Sequence, residues 1–94
     1  MERNYYVISF ELGDATVTQL GETPWLKKKA WGWDEALQCL HIRSEQKVSA
    51  VRNRAKETFV PLGVSNLHTK ESSAEESEGM LQFFPNDRPS SGYG

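Results

Sequence analysis

Ninety-four residues hold one domain at most. With 37% apolar residues and a single cysteine, the chain has no disulfide framework and no apolar run of membrane-spanning length. The net charge of −2 hides a division into −3 over residues 1–23, +5 over 24–56 and −4 over 57–94. A basic middle between acidic ends points to an electrostatic contact surface and a solvated tail.

Asn4 to Glu11 reads as a strand. Tyr6, Ile8 and Phe10 share one face, and Tyr5, Val7 and Ser9 share the other. Leu12-Gly-Asp is a turn signal, and Ala15 to Leu20 reads as a second strand, the hairpin partner of the first. Gly21 to Pro24 breaks it, and Trp25 to Trp31 is a third strand ended by Gly32. No Gly or Pro lies between Gly32 and Pro61. Asp34 is a good N-cap, and at 100° per residue Leu37, Leu40, His41, Ser44, Val48, Val51, Ala55 and Phe59 form one stripe. That stripe predicts one long helix or, because Cys39 and Ile42 lie off it, two nearly collinear ones with Ser44 capping the second. Phe59-Val-Pro-Leu-Gly-Val is a short last strand or a loop packed on the core.

From Ser65 onward Ser, Glu, Gly, Asn and Pro dominate, as in a disordered acidic tail. Its one apolar island is Met80-Leu-Gln-Phe-Phe84, ended by Pro85. The expected architecture is therefore α+β, with two parts. Residues 1–64 form a small domain: a three-stranded antiparallel sheet, its Tyr6–Ile8–Phe10 face inward, packed against the long helix or pair. Residues 65–94 form the tail, with its island at 80–84. A core this small gains from oligomerisation or partner binding. The first residues have no n-region and h-region of a secretory signal, and a lone Cys fits a reducing compartment, so a cytoplasmic location is expected.

The sharpest local signal is Trp25-Leu-Lys-Lys-Lys-Ala-Trp-Gly-Trp33. Lysine neutralises phosphate and indole stacks on bases, so Lys27, Lys28 and Lys29 with Trp25 and Trp31 make a candidate nucleic-acid surface. Against it stands the ordinary fate of Trp in a small domain, which is the core. On the predicted helix, Arg52 and Lys56 flank the apolar stripe on one side, Arg54 and Lys47 on the other. A Lys-rich third strand followed by Gly32-Trp-Asp-Glu-Ala36 resembles the layout of small sheet-reading DNA-binding modules such as integrase arm-binding domains, in which the sheet enters the major groove. In the tail, Met80-x-x-Phe83-Phe84 resembles sliding-clamp-binding peptides, with Ser77 where those have Gln. The opposing reading folds this island back over apolar surface of the domain.

Metal and catalytic chemistry find little support at this level. Cys39 and His41, two apart on a helix, diverge, and no Cys-x-x-Cys, His-x-x-x-His or Gly-rich phosphate loop occurs. The expectation is a non-enzymatic nucleic-acid-binding accessory or regulator with no cofactor, metal or membrane partner. It contacts phosphate through Lys27, Lys28, Lys29, Arg52, Arg54 and Lys56. The alternative is a protein-binding adaptor or inhibitor of the phage or mobile-element type, setting the basic edge against an acidic protein surface and anchoring through Met80, Phe83 and Phe84.

Overall fold

A computed structural model of the chain describes residues 4–85. The alternation at the start is realised as strand β1, Asn4–Glu11, which buries Tyr6, Ile8 and Phe10. The next segment departs from expectation. Ala15 to Leu20 is not a hairpin partner; it contains helix α1, Val17–Gly21. Thr16 Oγ1 accepts from the Gln19 N–H (3.1 Å), and Gln19 Oε1 accepts from the Thr16 N–H (2.9 Å). This reciprocal pair satisfies two backbone donors at the helix start and overrides the β preference of Thr and Val. Thr16→Ala is accordingly expected to cost about 1 kcal/mol, within the usual 0.5–2 for a lost N-cap, in chemical denaturation.

The expected third strand is likewise divided. Thr23 caps helix α2, Pro24–Lys27, with Pro24 in the first turn, where its missing N–H costs nothing. Only then does strand β2 begin, Ala30–Asp34. The long helix after Gly32 is corrected more deeply. Strand β3, Cys39–Ser44, pairs antiparallel with β2, and residues 35–38 form the connecting turn. Asp34 does cap, but it caps this turn: its Oδ1 accepts from the Leu37 N–H at 3.2 Å. Leu37, placed on the buried stripe by helical counting, is 72% exposed at the hairpin tip. The helix is confined to α3, Val48–Phe59, where Val51, Ala55 and Phe59 are buried as the stripe required.

A 3-10 turn, Val60–Leu62, leads into strand β4, Ser65–Ser72, which pairs antiparallel with β1 across a bulge between Ser9 and Glu11. The sheet thus has four strands in the order β2-β3-β1-β4, not three. The disordered tail expected from Ser65 is corrected through Pro85; the remainder, 86–94, lies outside the described residues. Composition concealed β4 because it is an edge strand. Backbone pairing to β1 needs no apolar side chains, and Lys70 and Glu71 on an exposed edge discourage pairing with other chains. The β-α-β-β-α-β order, with α1 and α2 sharing the first helical position, is the split βαβ arrangement known as ferredoxin-like.

Three layers result. Leu20, Trp25, Leu26, Val51, Ala55 and Phe59 from α1–α3 pack on the Tyr6–Ile8–Phe10 face together with Leu40, Ile42 and Trp31. The Tyr6 hydroxyl donates to the Gln46 carbonyl, fixing the turn before α3. The opposite face is covered in part, over Cys39, His41 and Gly32, by helix α4, Ala74–Ser77, and a 3-10 turn, Glu78–Met80. Gly32 permits that cover: a Cβ there would lie 1.7 Å from the Met80 carbonyl oxygen. Beyond it, Phe83 closes the edge of β2. The Trp31 N–H donates to Phe83 O and the Phe83 N–H to Trp31 O, both at 2.9 Å. Among the described residues, no helix is long and apolar enough to cross a membrane.

Candidate functional site

The residues singled out for binding do not form one surface. Trp25 and Trp31 are 6% and 5% exposed and belong to the core. Trp25 lies 5.8 Å from Phe59 between ring centroids, and Trp31 stacks on Phe83 at 4.4 Å. Neither is free to stack on a base. The cations separate into three places. Lys27 borders an apolar groove with Val17, Leu26, Phe83 and Phe84. Arg52 and Lys56 are exposed on the flank of α3 away from α2, as helical spacing places them. Lys28, Lys29 and Arg54 converge on one cleft between α2 and α3.

That cleft has a volume of about 380 Å³ and is lined also by Gln46, Asn53 and Glu57. It forms because α2 ends at Lys27, which turns Lys28 and Lys29 toward α3. Arg54 lies one turn after Ala50 and one before Glu57 on the facing side of α3. Lys29 Nζ donates to Ser44 Oγ at 3.4 Å, tying the basic loop to the end of β3. Among the described residues the one ion pair is Arg43–Glu78 at 3.7 Å, so the three cations of the cleft have no carboxylate bound to them there. The cleft offers three positive charges, two amides and one opposing carboxylate, a donor-rich lining suited to an anion.

The tail island is placed against the domain. The Met80 backbone lies over Gly32, Leu81 is buried, and Phe83 pairs with Trp31. Phe83 and Phe84 still keep about half their surface exposed, 48% and 53%.

Sequence reasoning missed a second constellation. On a helix Cys39 and His41 diverge; on β3, two apart, they share the outer face, and the register sets Asp34 directly across from Cys39. Donor atoms of Asp34, Cys39 and His41 all lie within 4.8 Å of one another. The geometric argument against a joint role for Cys39 and His41 is therefore overturned. The signal that finds them is period-two alternation: Leu40, Ile42 and Ser44 inward, Cys39, His41 and Arg43 outward. Burial pushes the Cys39 thiol up, with Asp34 adding to the rise and Lys70 opposing it. Burial pushes His41 down, against the pull of Asp34 and Glu76. At neutral pH the pair is a thiol and a neutral imidazole, so Cys39 is not an activated nucleophile.

One arrangement of protons satisfies every hydrogen bond around His41. Ser72 Oγ donates its only proton to Glu76 Oε1 (3.1 Å). Ser72 must then accept from Ser77 across their 2.7 Å contact. Ser77, its proton spent, must accept from His41 Nδ1 at 2.8 Å. The proton of the neutral ring is on Nδ1, and the Nε2 lone pair faces Cys39 Sγ at 3.9 Å. Every group in this relay beyond His41 comes from β4 and α4, the stretch composition marked as tail.

No protein-family model matches the chain, and neither a curated protein nor a solved structure is significantly similar to it.

Proposed function

We propose that this chain is a small non-enzymatic binding protein that holds the phosphate backbone of a nucleic acid in the cleft between α2 and α3. The observation that carries this reading is the convergence of Lys28, Lys29 and Arg54 on one polar cleft. Charge neutralisation by Lys and Arg supplies most sequence-independent affinity for nucleic acid. Gln46 and Asn53 add neutral donors to the same lining. The reading is narrower than the one drawn from sequence: Trp25 supports the cleft from within instead of stacking, Trp31 is engaged by Phe83 away from the cleft, and Arg52 and Lys56 are peripheral. The ferredoxin-like topology adds nothing by itself, since one fold hosts many functions. The reading gives the sheet no groove-reading role of the integrase-like kind, because α4 and the turn after it occupy the outer face over β2 and β3.

The test is retention on a random-sequence oligonucleotide over a range of salt. The logarithm of the binding constant is expected to fall steeply with the logarithm of salt. Replacing Lys28, Lys29 and Arg54 with Gln together should reduce that slope by about 2 to 3 on duplex DNA, at roughly 0.9 per phosphate contact. Replacing Arg52 and Lys56 with Gln should change it less. Absence of retention at low salt defeats the proposal.

A second reading rests on a different observation, the half-exposed Phe83 and Phe84 beside Val17 and Leu26. On that reading the chain is an adaptor or inhibitor that meets a partner protein at the β2 edge. A captured partner that survives nuclease treatment, and is lost on Phe84→Ala, favours it over the first.

A further inference from the structure

We infer that Asp34, Cys39 and His41 form a binding site for one divalent transition-metal ion of the zinc type, on the outer face of the β2–β3 hairpin. The donor set is the first argument. A thiolate, an imidazole and a carboxylate are the ligands zinc takes, and the thiolate disfavours calcium and magnesium. The second is distance. Zinc–sulfur and zinc–nitrogen bonds in a tetrahedral site put the two donor atoms about 3.6 Å apart. Cys39 Sγ and His41 Nε2 stand at 3.9 Å, so closing on an ion requires a shift of a few tenths of an ångström. The carboxylate of Asp34 lies within the same 4.8 Å limit.

The third argument is the relay behind His41. A metal-binding imidazole characteristically donates its other ring N–H to a fixed acceptor, which orients the ring and presents the free lone pair. Ser77, Ser72 and Glu76 perform that service here, and Ser77 is fully buried. The ligands line a cavity of about 260 Å³ together with Glu76, Lys70 and Met80. Among the described residues no fourth donor joins these three, so a solvent molecule would complete a tetrahedral set. The carboxylates of Asp34 and Glu76 outweigh the single Lys70 ammonium, so the surroundings favour a dication, which would displace the Cys39 thiol proton on binding. The site shares no residue with the basic cleft, and its fate is independent of the binding function proposed above.

Cobalt titration of the full chain, first stripped with chelator, tests the site without reference to any activity. One cobalt per chain should produce visible bands of tetrahedral intensity and a thiolate-to-cobalt charge-transfer band in the near ultraviolet, both removed by added zinc. Cys39→Ser should abolish the charge-transfer band, and His41→Gln and Asp34→Asn should each weaken binding. Ser77→Ala should weaken it about 10- to 100-fold while keeping the band at saturation, as expected for a residue that orients a ligand. His68→Gln, outside the cluster, should leave the titration unchanged. A wild-type protein with no charge-transfer band in excess cobalt overturns the inference, whatever the variants do. So does cobalt affinity in folded His41→Gln equal to that of the wild type, with circular dichroism in chelator as the check on folding.

Discussion

Gly32→Val is expected to detach the segment from Ala74 to Phe84 from the sheet and to lower stability by about 3 kcal/mol. Overpacking a core commonly costs about 1–3 kcal/mol because side chains can still yield. Here the obstacle is backbone: the added Cβ would meet the Met80 carbonyl oxygen at 1.7 Å and its carbon at 2.7 Å. The cheaper outcome is release of the segment. Release exposes Leu81, whose burial is worth about 1.5–3 kcal/mol. It also breaks the Trp31–Phe83 backbone pair and the Ser77–His41 bond, each contributing about 0.5–1.5 kcal/mol. For a domain of this size the melting temperature should fall by about 10–20 °C. A double-mutant cycle with Leu81→Ala identifies the cause. Leu81→Ala alone is expected to destabilise, because that side chain is 8% exposed. In the Gly32→Val background it should cost nothing further, since the segment has already left. Full additivity of the two substitutions contradicts the account.

The second large effect is expected at Trp25. Its ring is packed against Phe59, which in turn meets Phe10 at 5.8 Å, so Trp25→Ala opens a cavity where α2, α3 and β1 meet. Such truncations cost about 3–5 kcal/mol, a large share of the roughly 5–15 kcal/mol that a domain possesses. The Ala variant should be largely unfolded on moderate heating and should lose binding for that reason alone. Trp25→Leu retains apolar volume and cannot stack on a base. Assayed in the cold, where it is folded, it should bind an oligonucleotide as the wild type does. A stacking role would instead cost about 1–3 kcal/mol of binding energy in the same assay.

What the sequence made legible followed from local periodicity wherever only one period fitted. The alternation of Tyr6, Ile8 and Phe10 and the spacing of Val51, Ala55 and Phe59 each had a single reading, and both faces are buried as read. Between them Leu37, Leu40, His41 and Ser44 satisfied the helical period, while Leu40, Ile42 and Ser44 satisfied the strand period. Tertiary pairing with β1 decided for the strand. At Thr16 and Thr23 the missed signal was local, in the form of Thr-x-x-Gln and Thr-Pro at two helix starts. At β4 no local signal was available, because a charged edge strand is specified by its neighbour's unpaired backbone. The candidate sites inherited these errors. Lys28 and Lys29 were legible as cations, but their convergence with Arg54 depends on α2 being a helix. Cys39 and His41 could meet only once the segment was a strand, and the relay that orients His41 required a tail that folds back.

The fold and the site around Cys39 and His41 therefore turn on one claim, that residues 65–85 are part of the folded domain. Residue-resolved amide hydrogen exchange of the full chain tests it most directly. The account predicts that β4 amides paired with β1 exchange as slowly as those of β1 itself, and that the Trp31 and Phe83 amides are protected together. Exchange of residues 65–85 at free-peptide rates, with β1 and β3 still protected, would contradict it.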